Sequence, residues 1–289
     1  MSILSSPQGR PERVYSLYRA RTVVSPEITN VLMRPFLSPG FESDGETIIM
    51  KQELLADVFG AAQVFDLPEM ATQTREFPLS YENFLDRLHS KLASLDANHI
   101  ESVLLRSFAF FVVKSEREGN TSWLDENRQG IEDQITSALS SISDDSIAMN
   151  STKFTAWRKW MVALGLMVPN PRAKSLEILD VSGRLERELR GPSFENVGVM
   201  SAKDFLGRVA RTMPYLDGGV MYNELSQSLS VTPRQGVVSR VLSYALQDLH
   251  TDRVLSLSLQ GDGAGSYQLK GDDLHERQSF MEVDLGRNS

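Results

Sequence analysis

The stretch "VVSRVLSYALQDLHTDRVLSLSLQGDGAGSYQL" (237–269) decides how the fold is read. Val238, Val241, Ala245 and Leu249 recur at helical spacing and make one apolar stripe. Then the period changes. Leu255, Leu257 and Leu259 alternate with Ser256, Ser258 and Gln260, as in a half-buried strand. "GDGAG" reads as a hairpin turn and "SYQL" as a returning strand, so 253–259 and 266–270 are expected to pair antiparallel. A helix that runs into a two-stranded hairpin, after one or two shorter helices, is the layout of a winged helix-turn-helix. "KDFLGRVARTM" (203–213) and "GVMYNELSQSL" (219–229) supply the preceding helices.

The same grammar recurs upstream. In "TAWRKWMVALGLMVPNP" (155–171) and the residue before it, Phe154, Trp157, Met161 and Leu164 form a helical stripe. Gly165 suits a helix C-cap and "LMV" a strand. In "MKQELLADVFGAAQVFDLP" (50–68), Leu54, Val58 and Ala61 fall at helical spacing and "VF" follows, with "RPERVYSLYRAR" and "PEITNVLMRPFL" ahead of it. The three segments lack close identity, so the repetition is one of architecture. Between the first two, 81–115 reads as mostly helical, whereas the Ser/Asp-rich 137–151 reads as a loop and "GPSFENVGVMS" (191–201) as a boundary. The expected fold is mainly α with small β-hairpins (α+β): tandem winged helix-turn-helix units joined by a helical middle segment. The expected divisions are an N-terminal winged-helix-like domain at 1–78, a helical middle segment with a second such unit at 79–190, and a C-terminal winged-helix domain at 191–289.

Composition narrows the function. With 289 residues, 41% hydrophobic and 24% charged, the chain is ordinary for a soluble globular protein of two or three modules. It has no cysteine, which excludes disulfides, thiolate metal sites and a cysteine nucleophile. The opening residues hold no apolar stretch fit for a signal peptide, and "FAFFVV" (108–113) is far too short to span a bilayer. A cytoplasmic protein without membrane contact is expected. The net charge is −8, but its distribution is uneven. From 151 to 174, Lys153, Arg158, Lys159, Arg172 and Lys174 stand with no acid at all, and from 1 to 40 five arginines face only Glu12 and Glu27. Two local basic zones in an acidic chain allow a restricted nucleic-acid contact.

Catalytic signatures are missing. The four histidines, His89, His99, His250 and His275, have no zinc-ligand spacing and read as lone surface residues. "GDGAGS" (261–266) lacks the Lys-Ser/Thr of a phosphate loop. Asp144–Asp145 and Asp272–Asp273 read as solvated loop acids, and no Gly-x-Ser-x-Gly elbow exists. Neither an enzyme nor a cofactor is expected. The opposite face of the 154–164 helix carries Thr155, Arg158, Lys159 and Val162. In a DNA-reading winged helix that face enters the major groove; otherwise it is a solvated face on a core helix. With Lys153, Arg172, Lys174 and Arg240, these polar residues are the candidate contacts to nucleic acid or a partner. "PYLDGG" (214–219) reads as a helix-to-helix connection in which Pro214 sets a turn and Asp217-Gly218-Gly219 permits positive φ.

"FTAWRKWMVALGLMVPNP", "AKDFLGRVARTMPYLDGGVMYNEL" and "VLSYALQDLHTDRVLSLSLQGDGAGSYQL", in that order and spacing, resemble the DpdG family. "MPYLDGG" (213–219) is the most specific piece; Asn170 in "VPNP" replaces the family's usual acid, and "SFMEVDL" matches only loosely. The family belongs to bacterial islands that place 7-deazaguanine derivatives in DNA and restrict foreign DNA. The resemblance implies a non-catalytic accessory or adaptor subunit, with no catalytic residues to transfer, that works beside helicase-, nuclease- or ATPase-like partners in anti-phage defence. Double-stranded DNA and a second copy of the chain are further partners this allows. Two alternatives stand beside it: a structural winged-helix dimer subunit of an SMC-like ATPase complex, and a transcription regulator.

Overall fold

The computed structural model describes residues 80–119, 128–143, 148–169, 177–259, 265–271 and 278–286, together with Leu4 and five residues between Arg10 and Tyr15. The expected first unit around 50–68 lies outside the described residues. So do Arg172, Lys174, both acid pairs, His275 and 261–264 of the expected turn.

Among the described residues there are eight α-helices: α1 (Tyr81–Ala93), α2 (Val103–Glu118), α3 (Arg128–Ser140), α4 (Ser151–Ala163), α5 (Ser182–Leu189), α6 (Ala202–Thr212), α7 (Val220–Ser228) and α8 (Arg240–Thr251). Six short strands accompany them: β1 (Met167–Pro169), β2 (Glu177–Leu179), β3 (Val199–Ser201), β4 (Ser256–Leu259), β5 (Tyr267–Gln268) and β6 (Ser279–Asp284). The protein is mainly helical with small antiparallel sheets. The helix starts follow side-chain chemistry. Ser80, Asn150, Ser201 and Ser239 each accept a bond from a first-turn N–H of α1, α4, α6 and α8.

α2 organises the core. "VLLRSFAFFVV" is apolar on most of its circumference, with Arg106 and Ser107 the exceptions, and every residue from Val103 to Ser115 is buried. Such a helix needs cover on all sides, and α1, α3, α4, α7 and α8 pack against it. The expected helical reading of 81–115 therefore holds. The loop expected over 137–151 is shorter, because α3 continues to Ser140 and α4 starts at Ser151.

α2, α3 and α4 contact one another, and α4 leads directly into β1. β1 and β2 pair antiparallel in the register Met167–Leu179, Val168–Ile178 and Pro169–Glu177. The turn between helix and hairpin is a Schellman closure. The Leu166 N–H donates to Met161 (2.8 Å), the Gly165 N–H donates to Val162 (3.1 Å), and Gly165 has φ +75°. The glycine expected at the C-cap is there for this reason.

The C-terminal sheet departs from expectation. β4 and β5 do not pair with each other as a hairpin. Both pair antiparallel with β6: Leu257 lies opposite Val283 and Tyr267 opposite Phe280. β3 also joins β6, through Met200–Val283, so β6 is the strand the others share. The physical reason lies in length and pattern. β6 brings the buried Phe280 and Val283 to the core, whereas β5 is two residues long and only half-buried. The alternation itself stands, with Leu255 and Leu257 buried and Ser256 exposed.

Candidate nucleic-acid interface

α4 divides into two faces. The inner face buries Phe154, Trp157, Trp160 and Met161. Trp157 is fully enclosed. Its ring stacks on Phe111 at 4.9 Å and on Phe154 at 5.4 Å, and its indole N–H donates to the Leu104 carbonyl at 2.9 Å. Both ends of an amphipathic ring are thus satisfied inside the core. The outer face presents Thr155 and Lys159 to solvent. The Thr155 hydroxyl donates back to the Ser151 carbonyl (2.8 Å), and Lys153 Nζ donates to the Ala148 carbonyl (2.8 Å) beside the helix start. Arg158 is half-buried, and its Nε donates to Glu177 on β2. The hairpin therefore sets a carboxylate against one of the helix's cations. The sequence carries no local signal for Glu177, because only the pairing of β2 with β1 brings 177 beside 158.

The structure brings Lys153, Thr155, Arg158 and Lys159 together on α4. Arg240 belongs elsewhere, at the start of α8. Its backbone N–H donates to Glu116 Oε1 (2.6 Å), and its Nη1 donates to the Tyr244 hydroxyl (3.1 Å). A cavity of about 270 Å³ opens nearby, bordered by Glu116, Tyr222, Thr232, Arg234, Ser239 and Lys270. Lys270 pairs with Glu116 there. The positive end of α8 is thus already occupied by the chain's own acids.

"MPYLDGG" turns out to hold the helices together. Tyr215 is fully buried, packs edge-on against Phe108 at 5.2 Å, and its hydroxyl lies 2.9 Å from His89 Nε2. His89 is therefore not a surface histidine. It is fully buried, and desolvation pushes its pKa below the usual value. Its Nδ1 sits 3.1 Å from Glu188 on α5, without the alignment of a good hydrogen bond. Arg184, also buried, bridges Glu188 and Asp86, the latter at 2.7 Å. Two residues on, Asp217 directs its carboxylate at Ser239, accepting from the Ser239 N–H at 2.7 Å and from its hydroxyl at 2.5 Å. Burial drives the Asp217 pKa up to about 6, Glu116 adds to the rise, and the Ser239 bonds work against it. Gly218 has φ +76°, and a Cβ on Gly219 would lie 2.3 Å from the Pro214 carbonyl oxygen. The connector thus ties α1, α2, α5 and α8 to the α6–α7 turn.

Among the described residues no group of three or more His, Asp or Glu side chains is placed to hold a metal ion, and no helix is long and apolar enough to cross a membrane. No curated protein and no solved structure matches the chain. The DpdG (DpdG-like) family does, over residues 1–263 of 289. With a match of that extent, the chain belongs to the DpdG-like family.

Proposed function

We propose that this chain is a non-catalytic accessory subunit of a bacterial DNA-modification and restriction system, and that it touches double-stranded DNA through α4 and the β1–β2 hairpin while binding partner subunits elsewhere. Family membership supports the setting. One observation carries the contact. α4 is the third of three mutually packed helices and is followed at once by an antiparallel hairpin, the order of a winged helix-turn-helix. Its two tryptophans are buried, and its outward side carries Thr155, Arg158 and Lys159 with no acid anywhere on the helix. Such a face suits phosphate and base-edge contacts.

The test is a salt-dependent DNA titration of Arg158→Ala/Lys159→Ala. Stability should change by only about 0.5–1 kcal/mol, since one cation is solvated and the other sits in a partly exposed pair. Binding should weaken across all sequences, and the slope of log K against log salt should become shallower by roughly 1–2. A double mutant with unchanged DNA affinity would refute the contact. Unchanged DNA affinity with weakened partner pull-down would instead assign the face to an acidic protein surface.

A further inference from the structure

We propose that Glu177 restrains Arg158 and thereby sets how tightly the α4 face grips a polyanion; this rests on the nucleic-acid reading above. The two side chains are 22% and 21% exposed. At that burial, salt screens an ion pair less than it screens one on the open surface. The pairing is built into the hairpin. α4 turns through Gly165 into β1, and the register sets Glu177 opposite Pro169, so β2 returns a carboxylate to the flank of the preceding helix. α4 has no acid of its own, and among the described residues Glu177 is a carboxylate placed against the Arg158 guanidinium. Arg158 and Lys159 are adjacent in sequence but differ in state. Lys159 is exposed, whereas Arg158 is engaged. A DNA phosphate approaching Arg158 must displace Glu177 and then tolerate its negative charge nearby. Guanidinium forks favour phosphate and carboxylate alike, so the competition is between like ligands. Glu177 is a specificity-determining residue in this sense: it keeps the face weak towards any passing polyanion until enough other contacts form.

The test uses the full chain and a random-sequence DNA duplex, titrated across a range of salt. Glu177→Gln keeps the size of the side chain and removes its charge. Releasing one phosphate contact should steepen the log K against log salt slope by about 0.9, which corresponds to about eightfold tighter binding near 0.1 M salt if the contact is worth nothing at 1 M. Arg158→Gln introduced into the Glu177→Gln protein should abolish that gain. Glu177→Ala should move binding in the same direction, which guards against an effect of the glutamine itself. If Glu177→Gln binds like the wild type while Arg158→Ala/Lys159→Ala still weakens binding, the restraint is refuted and the contact face stands. If neither the wild type nor Glu177→Gln binds the duplex, the nucleic-acid reading fails and the restraint with it.

Discussion

Replacing Asp217 by asparagine should abolish a pH dependence of stability and leave the connector intact. Asp217 is half-buried, and both carboxylate oxygens point at Ser239. Burial raises its pKa from 3.8 to about 6. A raised carboxyl pKa means that the folded chain holds the proton more firmly than the unfolded chain. Its contribution is therefore fully present below about pH 3.8 and lost as pH rises through about 6. That displacement is worth at most roughly 3 kcal/mol, less whatever the remaining solvent contact screens. Asparagine does not titrate. Its carbonyl can still accept from the Ser239 N–H, and its amide can donate to the Ser239 hydroxyl. Urea unfolding of both proteins at several pH values between about 4 and 7 measures the difference. Wild type minus Asp217→Asn should fall by up to roughly 3 kcal/mol across that window, and above it the variant should be as stable as the wild type or more so. Asp217→Ala is the contrast. It leaves the Ser239 donors unmatched and should cost about 1–3 kcal/mol at neutral pH. Parallel pH curves for wild type and Asp217→Asn would refute the argument, because the carboxyl would then titrate alike in the folded and unfolded chains.

Trp157→Ala should cost roughly 3–5 kcal/mol and lower the melting temperature sharply, because it empties a fully buried site between two aromatic rings and leaves the Leu104 carbonyl without its indole donor. Gly219→Ala should destabilise comparably, since its Cβ meets the rigid Pro214 backbone rather than a yielding side chain; a melting curve like the wild type's would refute this. His89, held neutral by burial, should contribute stability that is fully present above about pH 6.5 and is lost as pH falls from there through its lowered folded-state pKa, because the unfolded chain takes up the proton first; His89→Gln should flatten that part of the profile. The purified chain should neither nick DNA with magnesium or manganese nor hydrolyse ATP, and metal-dependent nicking that disappears on Asp144→Ala or Asp272→Ala would show otherwise.

Some features were legible in the sequence because they depend on near neighbours. The α4 stripe, the Gly165 cap, the helicity of 81–115 and the alternation at Leu255–Leu257 each follow from a period or a cap within about a dozen residues. The turn at "PYLDGG" was legible as a turn for the same reason. Its importance was not. Tyr215 meets His89 from 126 positions away in the sequence, and Asp217 meets Ser239 from 22 away. No local pattern reports such distances, so His89 looked like a lone surface residue until the fold enclosed it. The strand pairing failed on the same ground. β4 and β5 are neighbours in sequence, but strands pair with the partner that best closes the core, and β6 offers Phe280 and Val283 from farther along the chain. Arg158 shows both sides of this. Its place on the outer face of α4 came from the helical period alone, whereas its engagement with Glu177 was decided only by the tertiary structure, when the hairpin folded back and brought an opposite charge within bonding distance.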